Sequence, residues 1–241
     1  MFSMKLDNTI TAVFSFVIKL LQEQMEHAKI SVTPDAVTLT AMNDSMTGLT
    51  RLIVGRPSCV EFAYTYDLTV GISLKALAAV LSCCGPTEHV IFTLDKDVLR
   101  VETNPCTVFE INLLDLDTED LTIPDVEPCA VVNTADMTAL MKKVSKLDAH
   151  KMTLSMVDGA VNVTAVGDLV KRAAFQLPSE RTEQQDLRVT VSPRNLAWLG
   201  KFGKIQKKFG MSMGENRPLG VHAAVDHLRV DAFLAPMMED P

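Results

Sequence analysis

The sequence predicts an α+β fold built twice over in one chain, and three observations carry that expectation. Short strand-like runs follow one another at hairpin spacing through both halves. Four segments of helical periodicity interrupt them at matching places. An acid-rich stretch near the midpoint, DLDTEDLTIPDVE (residues 115–127), lies between the two copies. The halves share no visible sequence identity, so the duplication is read from pattern alone. It divides the chain into a first domain over 1–114, a connector over 115–128 and a second domain over 129–241.

Taken in order, MFSMKLDN opens the chain as a strand and Asn8–Gln24 is the first helix. KISVT (29–33) and VTLTAM (37–42) are strands joined by the turn TPDA; LTRLIV (49–54) and VEFAYTY (60–66) follow. Ser73–Cys83 is the second helix. HVIFTL (89–94) and VLRVET (98–103) form a hairpin about DKD, and VFEINLLDL (108–116) closes the half. The second half repeats the order. CAVVN (129–133) leads into the helix Thr134–Leu147, which Thr134 or Asp136 can cap. KMTLSMV (151–157) and AVNVTAV (160–166) turn at VDGA, before KRAAFQL (171–177) and DLRVTV (186–191). Ser192-Pro193 supplies a cap and a proline at the first helical position for Ser192–Lys204. FGMSMG (209–214), LGVHAAV (219–225) and LRVDAFL (228–234) end the pattern.

The composition is that of an ordinary globular protein, with 241 residues, 47% apolar and 22% charged. The longest strongly apolar stretch, Ile10 to Leu21, contains Lys19 and falls short of the roughly 20 residues of a membrane span. No basic-then-apolar leader is visible, and the five cysteines are odd in number with no CxxC pair. Both features predict a soluble cytosolic or nuclear protein with reduced thiols. The net charge is −7, but residues 1–128 carry 8 Lys/Arg against 18 Asp/Glu, and residues 129–241 carry 15 against 12. The overall charge argues against a polyanion partner, so what matters is where the bases cluster.

They cluster on helices of the second half. In Thr134–Leu147, Met137, Leu140, Met141, Val144 and Leu147 form one apolar face, and Lys142, Lys143 and Lys146 fall opposite. In Ser192–Lys204, Leu196 and Leu199 point one way while Arg194, Lys201 and Lys204 recur along another face. Charged residues coat most solvated helix faces. Here, however, both faces carry only positive charge apart from Asp136 near a helix N-terminus, where an acid is expected. Two one-signed faces in an acidic protein suit a surface that meets phosphates without reading bases, and flexible lysines suit transient contacts of that kind.

Enzymatic readings find little support. A nucleophilic Cys83 or Cys84 would need a base, and His89 is the only one close in sequence, with no catalytic motif around it. The histidines have no metal spacing. GKFGKIQKK is basic and glycine-interrupted but lacks the phosphate-loop pattern. No catalytic residue, metal or cofactor is therefore expected.

The connector INLLDLDTEDLTIPD resembles that of the eukaryotic sliding clamp family, proliferating cell nuclear antigen. MFSMKLDN resembles the family's first strand, VTLTAMNDSMTGLTRL its first-domain hairpin, and AFLAPMMED its C-terminal ending, all in the right order. The resemblance implies a DNA clamp fold: two similar domains, each with two channel-lining helices packed on antiparallel sheets, closing head to tail into a homotrimeric ring around double-stranded DNA. It implies a polymerase processivity factor for replication and repair, put on DNA by a clamp loader and acting in the nucleus or at a viral replication site, with no membrane partner. Lys19 and Lys75 of the first domain would join Lys142, Lys143, Lys146, Arg194, Lys201 and Lys204 in contacting DNA. Val13, Phe14 and Leu20 stand where relatives carry channel lysines, and Ala79 and Ser82 where they carry bases, so the channel charge should be lopsided. The usual ubiquitin-acceptor lysine aligns with Asn162.

The resemblance also assigns two protein surfaces. Partners with a PIP-box-like motif would insert an aliphatic and two aromatic side chains into an apolar groove beneath the connector. Met42, Thr47 and Leu49 carry over to that groove, as do Leu121, Ile123 and Pro124 of the connector and Pro218, Phe233, Ala235 and Pro236 of the second domain. At the subunit joint, Cys106–Leu114 would pair with Lys171–Leu177 of the next copy through Phe109, Ile111 and Leu113 on one side and Ala173, Phe175 and Leu177 on the other. Two further readings stay open: a subunit of a hetero-oligomeric checkpoint-type clamp, and a monomeric processivity subunit that does not encircle DNA.

Overall fold

The computed structural model describes residues 2–85, 89–95, 97–103, 107–116, 127–157, 159–180, 187–214 and 217–237. The chain divides into two compact units, Met1–Thr122 with Val225–Val230, and Ile123–Ala224 with Asp231–Pro241.

The first half runs β1 (Phe2–Leu6), α1 (Asn8–Leu21), β2 (His27–Val32), β3 (Ala36–Met42), β4 (Gly48–Gly55), β5 (Cys59–Tyr64), β6 (Leu68–Ser73), α2 (Leu74–Cys83), β7 (Val90–Asp95), β8 (Val98–Thr103) and β9 (Thr107–Asn112). The second runs β10 (Ala130–Asn133), α3 (Thr134–Lys146), β11 (Ala149–Val157), β12 (Ala160–Gly167), β13 (Ala173–Pro178), β14 (Arg188–Val191), α4 (Pro193–Leu196), a 3₁₀ stretch over Ala197–Lys204, β15 (Lys208–Ser212), β16 (Leu219–Val225) and β17 (Leu228–Leu234). Strand order repeats between the halves. β1-β7-β8-β9 in the first answers to β10-β15-β16-β17 in the second, and β4-β3-β2-β6 answers to β13-β12-β11-β14. The first half adds β5 outside β1. The duplication read from pattern is thus present as repeated topology.

Alternation explains the strands. Val37, Leu39 and Ala41 of β3 are buried while Thr38 and Thr40 are half-exposed, and Met152, Leu154 and Met156 do the same for β11. In α1 the apolar stripe Ile10, Phe14, Val17, Ile18 and Leu21 turns inward, and the Phe14 ring meets Phe92 edge-on at 5.5 Å. Phe2, Phe14, Ile30, Leu52, Leu77 and Phe92 meet around a void of about 20 Å³, so both helices and both sheets of this unit share one core. Capping follows composition. Asp7 Oδ1 accepts from the Ile10 amide at 2.8 Å, and Ser73 Oγ accepts from the Ala76 amide at 3.3 Å.

Three expectations change. The strand β6 (LTVGIS) escapes pattern reading because Gly71 interrupts its alternation. The structure shows why glycine sits there: a Cβ would meet Leu116 Cγ at 2.4 Å and Leu114 O at 2.6 Å. The cap of α3 is Asn133, whose side chain accepts from the Ala135 amide at 2.9 Å, and not Thr134 or Asp136. Thr134 instead is buried and donates its hydroxyl to Gln206 O at 2.8 Å. The fourth helix is only one α-turn followed by a 3₁₀ run. Leu196, Leu199, Phe202 and Ile205, four of its buried residues beside Trp198, repeat every third position, which is the 3₁₀ period, and Gly200 and Gly203 weaken the α alternative.

Candidate nucleic-acid interface and partner surfaces

The basic surface of the second unit is built by α3 and the 3₁₀ run lying together. Met137, Leu140, Met141 and Val144 bury the inner side of α3, and Trp198, Leu199 and Phe202 bury that of the 3₁₀ run. The Trp198 and Phe202 rings sit 5.0 Å apart, and Phe202 meets Phe209 at 6.1 Å. Thr138 Oγ1 ties the two segments, lying 2.8 Å from both Thr134 O and Gly200 O. Between them runs a groove of about 430 Å³ whose lining includes Lys142, Arg194 and Lys201, with Asp148 as its acid. Lys142, Lys143, Lys146, Arg194, Lys201 and Lys204 are all exposed. The segment that spaces its apolar residues by three spaces Lys201 and Lys204 likewise, which puts both on the outer side.

The first unit supplies less charge, for a reason the sequence misplaced. Lys19 and Lys75 are exposed as expected, as are Ala79 and Ser82. Phe14 and Leu20, however, are buried at 4% exposure each and belong to the core stripe of α1, not to its outer face. The exposed residues of α1 are Thr9, Ala12 and Lys19. Val13 is half-exposed, so the shortage of bases there comes from Val13 together with Thr9 and Ala12.

The strands β9 and β13 each end their sheet, and their burial runs in parallel. Phe109 and Phe175 are half-buried. Two residues on, Ile111 and Leu177 are 6% and 4% exposed, so these side chains fill their own cores and only their backbones lie at the edge. Leu113 and Ala173 are half-buried, and Val108 is exposed.

The groove residues distribute over both units. In the first, Met42, Thr47 and Leu49 are half-buried around the β3–β4 loop. In the second, Pro218 and Ala235 are half-buried, Pro236 is exposed, and Phe233 is buried, offering little surface of its own. Leu121, Ile123 and Pro124 lie outside the described residues. Both ends of the connector are anchored by glycines that sequence reading passed over. Gly71 exchanges backbone hydrogen bonds with Leu114 at 3.0 and 2.9 Å, and Gly210 receives Pro128 so closely that a Cβ would meet Pro128 Cγ at 2.7 Å. Each is a glycine inside a strand, the one signal available in advance.

Beneath Phe233 lies a buried network. His222 Nδ1 is 2.9 Å from Asp231 Oδ1, His222 Nε2 is 3.0 Å from Ser212 Oγ, and the His222 ring meets Phe233 edge-on at 5.8 Å. A carboxylate can only accept, so Nδ1 carries the proton, while Nε2 and the serine hydroxyl bond each other. The connectivity is that of a hydrolytic triad, but Gly220 covers the hydroxyl: a Cβ there would stand 2.1 Å from Ser212 Oγ. A substrate has no approach to this oxygen, and the network holds strands together. Cysteine chemistry fares no better at Cys59, where burial pushes the thiol up to about 11.

Three comparisons with known proteins agree. The model of the family described as proliferating cell nuclear antigen, N-terminal domain, matches residues 1–120. A probable DNA polymerase sliding clamp 2 of Paramecium bursaria Chlorella virus 1 is 23% identical over 247 residues, which take in 100% of this chain and 92% of that protein. The crystal structure of proliferating cellular nuclear antigen from Entamoeba histolytica superposes with a TM-score of 0.86 at 20% identity, covering 98% of this chain and 99% of that one.

Proposed function

The chain belongs to the proliferating cell nuclear antigen family of DNA sliding clamps, and from that premise we propose that it works as a homotrimeric ring that encircles duplex DNA. The observation that supports the ring is the character of two of the sheet-end strands, β9 and β13. β9 and β13 each end a sheet and each carry a half-buried phenylalanine, Phe109 and Phe175, and an apolar edge left open in solution invites aggregation. Pairing β9 of one subunit with β13 of the next satisfies both edges and, with a rotation of one third of a turn per subunit, closes a ring of three.

DNA would pass the exposed lysines and arginine of α3, α4 and the 3₁₀ run, with Lys19 and Lys75 adding less. Such contacts are to phosphates, sequence-independent and screened by salt. The clamp performs no chemistry itself. It tethers a polymerase, is placed by a clamp loader, and receives partner peptides in the groove formed by Met42, Thr47 and Leu49 with the connector and the C-terminal segment, in the nucleus or at a viral replication site.

The test is topological. Light scattering should give the mass of three chains. Protein loaded on nicked circular DNA by its clamp loader should stay bound through gel filtration and be lost when the circle is cut. A monomeric mass, or equal retention on cut and uncut DNA, would refute encirclement.

A further inference from the structure

Among the described residues, three other than glycine hold a left-handed backbone: Met46 (φ 55°), Asp148 (φ 47°) and Asp226 (φ 52°). Asp148 is the one that stands in the basic groove of the second unit. It follows Leu147, the C-cap of α3, and so occupies the place past a helix end where glycine is the usual residue and asparagine its usual substitute. The turn is fixed there. Ala149 opens β11 opposite Gly167 of β12, and a Cβ on Gly167 would meet Asp148 O at 2.8 Å and Leu147 O at 2.9 Å.

An aspartate at this point carries two local costs. Its backbone is held where glycine would be relaxed. Its negative charge follows the C-terminus of a helix, the end that favours cations. Asparagine would fit the same turn without the second cost. Local folding therefore does not account for the carboxylate. The groove between α3 and the 3₁₀ run does, because Asp148 lines it together with Lys142, Arg194 and Lys201, and all four are exposed. Three positive charges gather there and one negative charge opposes them.

A groove lined by three cations is a phosphate trap. An arginine can hold a phosphate through two parallel hydrogen bonds, and two lysines from different segments add charge to that hold. A ring that slides needs the hold to be shallow, since each phosphate must leave before the next enters. We propose that Asp148 weakens the grip of this groove on a phosphate of the DNA backbone and shortens the time each phosphate stays there. It repels the phosphate directly and competes with it for the same cations. The inference rests on the reading of this basic face as the one that meets DNA.

Duplex DNA of mixed sequence is titrated into the wild-type protein, Asp148→Asn, Asp148→Gly and Lys201→Glu over a range of salt. Lys201→Glu should weaken binding, which checks the DNA reading by itself. Asp148→Asn should bind about threefold or more tightly at low salt, and the gain should fade as salt screens the charge that was removed. Rings of this variant loaded on long DNA should diffuse more slowly than wild type. Its melting temperature should not fall, since asparagine suits the turn and the helix end loses an anion. Asp148→Gly should tighten binding as Asp148→Asn does. Unchanged affinity or diffusion in Asp148→Asn, while Lys201→Glu weakens binding, would overturn the proposal and leave the DNA reading standing. So would a gain confined to Asp148→Gly, which would trace the effect to the backbone, or a lower melting temperature in Asp148→Asn, which would mean that the carboxylate serves the fold. If the wild type shows no salt-dependent binding at all, the DNA reading falls and the proposal falls with it.

Discussion

Asp231 shows how much one buried side chain can decide. It is fully buried and accepts from His222, whose other nitrogen is engaged by Ser212. Asp231→Ala would leave the Nδ1–H with no carboxylate in a dry environment, which costs about 3 kcal/mol. Asp231→Asn should cost clearly less, since its amide oxygen can still accept. Thermal unfolding of both variants decides it: equal melting temperatures for the two would mean that the hydrogen bond is not what Asp231 contributes. The sequence could not disclose this network. Its members are ordinary strand residues on β15, β16 and β17, and only sheet register brings them together. The basic residues of α3, by contrast, were legible one by one, because helical spacing alone fixes which side they occupy.

At the scale of elements, the proposed assembly rests on β9 and β13. Ile111 and Leu177 are buried within their own units, so substituting them would damage a core; Phe175 is half-buried and is the informative position. Phe175→Asp should place a charge at the subunit joint and give monomers by light scattering with circular dichroism unchanged. A variant that remains fully trimeric counts against this interface. The helices make a separate prediction. Lys146→Glu with Lys201→Glu should impair loading or processive synthesis while the trimer persists, and the defect should deepen as salt is lowered, because less of the introduced repulsion is screened. If reversing Lys19 and Lys75 instead hurts far more, the asymmetry of charge between the two units has no functional weight. Element type was mostly readable from period. The exceptions were β6, where Gly71 breaks the alternation to admit Leu114 and Leu116, and the 3₁₀ run, where a period of three resembles 3.6 over so short a segment.

For the whole molecule, the proposed partner groove gives a reason for apolar Leu121, Ile123 and Pro124 to stand inside an acidic connector. Two aromatic rings of a partner each bury about 150–250 Å², on the order of 7–12 kcal/mol at roughly 25 cal/mol/Å². Association and ordering take back several kcal/mol or more, so micromolar to high-nanomolar affinity is expected. Ile123→Arg would set an unpaired charge against that apolar site. Peptide affinity should fall tenfold or more, about 1.4 kcal/mol, with little change in melting temperature, as Ile123 would lie in a connector and not in a domain core. Calorimetry with both proteins measures it, and unchanged affinity would leave the connector's apolar residues unexplained.

By itself the sequence determined the class of fold, the doubling of its pattern, most elements and the sign of the charge on α3, because those follow from local periodicity and composition. Only the tertiary structure decided which residues meet. It placed Phe14 and Leu20 in the core, left β9 and β13 at sheet edges, seated Leu114 and Pro128 on Gly71 and Gly210, and assembled Ser212, His222 and Asp231. The reason is physical. Periodicity fixes the side of an element on which a residue lies, whereas strand order and register, set by packing among residues far apart in the chain, fix what that side faces.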